Sequence, residues 1–207
     1  MGQPQYHLAE LRSHAEQIFQ AGMRAVEPGA AIRRCCRLDG DNLLIGDKVY
    51  DLSGFARVLV LGAGKAGASM GKAVEELLGD RLDGGIVSVK YEHVAELHRI
   101  TLYEAGHPVP DSNGMTAARA ILELAEQADE KTLILFLVSG GGSALLPLPA
   151  EGVSLSDKQE TTRILLACGA GIHEINALRK HLSPPSRGGS WPGRHSPRRW
   201  SRWCFPT

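Results

Sequence analysis

An α/β fold built on a doubly wound, mostly parallel sheet is the class this sequence predicts, and three observations carry it. Short apolar segments alternate with amphipathic ones from residue 57 to residue 138. The first apolar segment, Arg57 to Leu61, runs directly into a glycine-rich turn that opens a helix. The last, Thr132 to Val138 (Thr-Leu-Ile-Leu-Phe-Leu-Val), is apolar along nearly its whole length, which fits a central parallel strand covered on both faces. Alternation at this period implies right-handed crossovers, and in such sheets ligands lie at the carboxyl ends of the strands.

Taken in order, His7 to Val26 places Leu8, Leu11, Ala15, Ile18, Phe19 and Met23 at helical spacing, which predicts a helix packed on the sheet and stopped by Pro28-Gly29. Arg57 to Leu61 is the first strand, and Ala66 to Leu78 is the helix after it, with Gly79 as its stop. Gly84 to Lys90 and Ile100 to Glu104 read as two further strands. Asp111 is placed to cap a helix over Ser112 to Gln127 that buries Ala117, Ala120, Ile121 and Leu124 and exposes Glu123 and Glu126. Glu174, Asn176, Arg179 and Lys180 belong to a segment of helical spacing near the end of this body.

Two glycine motifs follow two of the strands. In Gly62-Ala-Gly-Lys-Ala-Gly67, the residues Gly62, Gly64 and Gly67 have the spacing of a Rossmann-like phosphate turn, where the backbone comes close to an anion at a helix N-terminus. Lys65 sits inside that loop, where dinucleotide binders need no charge. After the central strand, Ser139-Gly-Gly-Gly-Ser143 offers converging N–H groups and two hydroxyls. A glycine loop after a strand also serves as a plain tight connection. Two such loops at the ends of parallel strands are more economically one shared anion pocket, lined by Ser139, Gly140, Gly141, Gly142 and Ser143 opposite Lys65. His107 and Asp111, in His-Pro-Val-Pro-Asp, lie after the third strand and are further candidates, with a turn histidine and a helix cap as the plainer readings.

The acid that would hold a dinucleotide's ribose, about 20 residues past the glycines, is replaced by Lys90, with Glu92 two residues on. That weakens a nicotinamide-cofactor reading. A P-loop is ruled out because Gly71-Lys72 is followed by Ala73 and lacks the leading glycine. The His173 and His181 spacing does not suit a metal pair on one helix, and the residues suggest no metal site.

Composition bounds the classes. The 207 residues are 43% hydrophobic, enough for a core, and no apolar run approaches the ~20 residues of a membrane span. The start is too polar for a signal peptide, so the cytoplasm is the expected compartment. Cys35, Cys36, Cys168 and Cys204 lack metal or disulfide spacing and read as reduced thiols. The formal charge of zero hides a break: Pro184 to Thr207 carries five arginines, no acid, five prolines and all three tryptophans, leaving the rest at −5. An acidic body argues against nucleic acid as a partner, and the tail is expected to lack regular structure.

Gly62-Ala-Gly-Lys-Ala with Met70, His107-Pro-Val-Pro-Asp111, Ser139-Gly-Gly-Gly-Ser-Ala-Leu145 and Glu174-Ile-Asn-Ala-Leu-Arg-Lys-His-Leu-Ser183 together resemble the amino-terminal domain of the type 2 glycerate kinase family, also named for its carboxyl-terminal MOFRL domain. The resemblance covers nearly all of residues 1–183 and implies the incomplete amino-terminal domain of a two-domain kinase. It implies ATP-dependent phosphorylation of D-glycerate to 2-phosphoglycerate, with Mg²⁺ as the nucleotide's ion. Lys65 then matches the family's active-site lysine, Gly140 to Ser143 its glycine-serine loop, and Asn176, Arg179 and Lys180 a segment near the cleft. Some relatives carry the name hydroxypyruvate reductase, which keeps an NAD(P)H-dependent reductase and a non-catalytic nucleotide-binding fragment as alternatives. After Ser183 the chain departs from the family pattern, and residues 184–207 read as the product of a truncation or a shifted reading frame. An intact downstream frame at the locus is the expected finding on resequencing, and its absence would refute that reading.

Overall fold

The computed structural model describes residues 7–183, together with the backbone of 200–204. Helix α1 (Leu8–Ala25) forms as its spacing dictates, but it corrects the expectation of packing: none of its residues is buried, and Ile18 is 73% and Phe19 63% exposed. Period 3.6 specifies a helix and its apolar stripe; it does not specify what covers the stripe. Pro28-Gly29 separates α1 from a second helix, α2 (Pro28–Cys35), which begins on that proline. Proline suits the first helical position, where its missing N–H would have had no partner. The Glu27 carboxylate caps α2 by accepting from Gly29 N and Ala30 N, and it also accepts from the Ser69 hydroxyl.

Strands β1 (Cys36–Asp39), β2 (Asn42–Ile45) and β3 (Lys48–Asp51) form an antiparallel meander that the alternation pattern had not suggested. The main sheet comprises β4 (Arg57–Ala63), β5 (Gly84–Lys90), β6 (Ile100–Ala105), β7 (Thr132–Val138) and β8 (Trp200–Cys204), in the order β6-β5-β4-β7-β8 with every pair parallel. The segment 184–207, expected to be irregular, thus contributes β8 beside β7. The rest of that segment lies outside the described residues.

Helices α3 (Gly67–Leu78) and α4 (Ser112–Glu126) cover opposite faces of this sheet. Alternate residues of a strand point to opposite faces, and the core divides accordingly. Val58 and Val60 of β4 and Leu133, Leu135 and Leu137 of β7 pack with Met70, Val74 and Leu78 of α3. Leu59, Leu61 and Ile134 pack with Ile121 and Ala125 of α4. Asp111 caps α4, accepting from Gly114 N at 2.9 Å. Within α4, Ala117 and Ile121 are buried as expected, whereas Ala120 and Leu124 are half-buried and Ala118 and Ala125 take their deep positions. Among the described residues, three helices follow β7: the short α5 (Gly142–Leu145), α6 (Leu155–Ala167) and α7 (Ile172–His181). Helix α6 was not expected from the sequence; it starts on a capping box between Ser154 and Asp157.

Candidate functional site

The order β6-β5-β4-β7 means that the chain winds outward from β4 on one side and returns to its other side at β7. The switch point therefore lies between the carboxyl ends of β4 and β7, where doubly wound sheets bind ligands. Both glycine loops begin there. Ala63 is paired with Val138 in register, so the loops leave the sheet side by side.

The two loops are locked together. Lys65 N donates to Gly140 O at 2.9 Å, Ser139 N to Ala63 O at 3.1 Å, and Ala66 N to Ser139 Oγ at 3.1 Å. The last bond matters because α3 has no side-chain cap of its own at Ala66. The cap comes instead from the other loop. Gly64 shows how close the approach is: its φ is +144°, and a Cβ there would stand 2.0 Å from Ser139 Oγ and 2.7 Å from Ser139 O. On the strand side, Ser88 Oγ at the end of β5 donates to Leu145 O at 2.7 Å, fixing α5 against the sheet.

Gly141, with φ +95°, opens the other flank. A Cβ on it would meet His107 Cδ2 at 2.9 Å, His107 Nε2 at 3.1 Å and Lys65 Cγ at 3.3 Å. His107 and Lys65 thus both border the bare Gly141 backbone. Burial, and then the charges of Lys65, Arg179, Lys90 and His93, hold the His107 imidazole below its ordinary pKa. Burial and nearby positive charge both disfavour the protonated ring. Arg179, from the last turn of α7, is half-buried and donates through Nη2 to Pro108 O at 2.9 Å. Burial lowers its pKa as well.

The sequence candidates therefore sort by position. Lys65, Gly62, Gly64, Gly67 and Ser139 to Gly142 come together at the switch point. Ser139 is buried, its hydroxyl already engaged with Ala66 N, while Ser143 is exposed on α5. Arg179 reaches this corner through Pro108, whereas the Asn176 and Lys180 side chains are exposed on α7. Asp111 takes the plainer of its two readings: it caps α4 and accepts from the Tyr91 hydroxyl at 2.6 Å. Burial alone would raise the Asp111 pKa, but the Tyr91 hydroxyl and the backbone N–H groups around it bring it below the usual carboxylate value. Missed in the sequence were Lys158 and Gln159 of α6, for which no spacing signal existed. Among the described residues no group of three or more His, Cys, Asp or Glu could hold a metal ion, and none of the helices they form is long and apolar enough to cross a membrane. Cys36 is buried, with its thiol pushed up to about 11 by burial and by the charge of Cys35.

This fold and corner define a Rossmann-like α/β domain whose two glycine loops meet at the switch point. The profile of the domain of unknown function DUF4147 matches residues 14–199, and the chain belongs to that family. It is 36% identical over 179 residues to the glycerate 2-kinase of Pyrococcus horikoshii, covering 86% of this chain and 40% of that relative. It is 48% identical over 133 residues to the D-glycerate 2-kinase of Thermotoga maritima, covering 64% and 32%. A protein of Agrobacterium vitis named as a putative hydroxypyruvate reductase is 43% identical over 127 residues, covering 61% and 33%. Among solved structures, a Pyrococcus horikoshii protein superposes with a TM-score of 0.72 at 37% identity, and the Thermotoga maritima glycerate kinase with 0.66 at 40%, each covering 84% of this chain and 39% of the other. The chain thus spans roughly a third to two fifths of the length of these relatives.

Proposed function

We propose that this chain supplies the phosphate-receiving wall of a glycerate kinase, which transfers a phosphoryl group from ATP to D-glycerate to give 2-phosphoglycerate. The observation that carries the reading is the meeting of two glycine loops at the switch point, with Lys65 and His107 against the bare backbone of Gly141. Phosphoryl transfer depends mainly on positioning and charge neutralisation, and these groups suit both. The loop N–H groups and the Lys65 ammonium would hold an oxyanion while charge spreads over the transferring group. The half-buried Arg179 guanidinium would oppose a second anionic group, the glycerate carboxylate, because a planar fork matches a carboxylate. Lys90 at the end of β5 favours an anion over a ribose diol and so ranks the kinase above a nicotinamide-dependent reductase.

Mg²⁺ would arrive on the phosphates of ATP, which together with water commonly supply most of its ligands; among the described residues no group of three or more His, Cys, Asp or Glu stands ready to hold it alone. A second reading is nucleotide or phosphate binding without turnover, since Asp111, the carboxylate of the His107–Asp111 segment beside the loops, is engaged by Gly114 N and the Tyr91 hydroxyl. The test is incubation of the chain with ATP, Mg²⁺ and D-glycerate and, separately, with hydroxypyruvate and NAD(P)H. ADP formation dependent on glycerate supports the kinase. Saturable ATP binding with neither turnover supports the second reading, and NAD(P)H oxidation without ADP formation overturns both.

A further inference from the structure

The His107–Pro110 segment borders the anion corner, yet two of its four residues are prolines without N–H groups. Two of its carbonyls are held by side chains from the helices that follow the second glycine loop. Gln159 Nε2 on α6 donates to Pro110 O at 2.8 Å, and Arg179 Nη2 on α7 donates to Pro108 O at 2.9 Å. Next to Gln159, Lys158 is 5% exposed, which is rare for a lysine. Its Nζ donates to Leu148 O at 3.2 Å, Leu182 O at 3.3 Å and Ser183 Oγ at 2.9 Å. Three ammonium protons thus meet three neutral acceptors. Leu148 lies on the way out of α5, and Leu182 and Ser183 close α7, where the Ser183 hydroxyl donates to Arg179 O at 2.8 Å. Burial, and then the Arg179 charge, bring the Lys158 pKa down to about 8.

We infer that Lys158 and Gln159 are positioning residues: from α6 they strap the His107–Pro110 segment, the end of α7 and the chain leaving α5 to one another, and so hold His107 against Gly141 and Lys65. Neither touches the anion corner itself. A buried lysine is an expensive device for joining helices, and its three bonds here converge on the two segments that carry Leu148 and Arg179. The inference rests on the reading that this corner receives phosphate.

The test uses the full chain, with Gln159→Leu and Lys158→Met as variants and Arg163→Met, an exposed position on the same helix, as control. Two quantities are read: the titration midpoint of the His107 ring by NMR, and the affinity for inorganic phosphate. Released from burial at the corner, and then from the charges of Lys65, Arg179 and Lys90, the ring should titrate closer to its ordinary value in both variants. Phosphate affinity should fall about fivefold, the effect of one neutral hydrogen bond, with the control unchanged. A folded Gln159→Leu variant with the wild-type midpoint overturns the inference, and it decides alone if Lys158→Met does not fold. If the wild-type chain does not bind phosphate, the functional reading fails, while the His107 midpoint still judges the strap.

Discussion

Replacing Gly64 by alanine probes the contact on which the site depends. Two costs add. A φ of +144° is outside the range of L side chains, and strain of that kind amounts to about 1–3 kcal/mol. The new methyl would also stand 2.0 Å from Ser139 Oγ and 2.7 Å from Ser139 O, and overpacking of this sort costs about 1–3 kcal/mol. The loops must part, and Gly64→Ala should lower stability by about 4 kcal/mol, the middle of those ranges taken together. Ser139→Ala alone removes the acceptor for Ala66 N and should cost about 1 kcal/mol. Combined, the two substitutions should cost less than their sum by about 1 kcal/mol, because the 2.0 Å contact no longer exists in the Gly64→Ala, Ser139→Ala chain. Urea denaturation of the four proteins, with unchanged slopes, measures this cycle. Strict additivity would mean that the loops do not abut, and the shared-site reasoning would fall with it.

Other expectations follow from the same structure. The free protein's His107 should titrate below its ordinary value, and because an anion favours the charged ring, phosphate should move the midpoint up. Affinity for phosphate should then rise as pH falls between the free and bound midpoints, which NMR titration with and without phosphate checks. Glu75 is raised by burial but lowered further by the N–H groups of His98, Arg99 and Ile100, leaving its pKa below the usual value. A carboxylate held below its unfolded pKa stabilises above that value and loses the effect as pH falls through the folded pKa. Glu75→Gln should therefore cost about 2 kcal/mol at pH 7, and the difference from wild type should vanish in acid, measured by thermal melts across pH. On α1, Phe19→Ser should change stability by less than about 0.5 kcal/mol in urea denaturation, because an exposed side chain has little to lose.

The main sheet was legible because β4, β5 and β7 carry their own signals: an apolar run, a glycine exit, a flanking helix with a stop. The ranges predicted for β5 and β7 match those observed. The meander was missed although Gly40-Asp41 and Gly46-Asp47 sit between its strands as hairpin pairs. Its strands are only four residues long, too short for alternation to stand out. The packing of α1 was misread because periodicity records an apolar stripe and not its partner. At the site, Lys65 and the glycines announced themselves through spacing. Gln159 and Lys158 could not, since their roles depend on carbonyls 49, 10 and 24 residues away and a hydroxyl 25 residues away that only the folded chain brings near.

The central claim is that the two glycine loops and Lys65 form one anion site. Calorimetric titration of the chain with ATP, comparing wild type with Lys65→Met and with Lys72→Met at an exposed position of α3, tests it most directly. Saturable binding that weakens about tenfold or more in Lys65→Met, as loss of a charge-assisted contact worth about 1.5–3 kcal/mol requires, and stays intact in Lys72→Met, is the predicted result. Equal affinity in wild type and Lys65→Met, or equal loss in both variants, would contradict it.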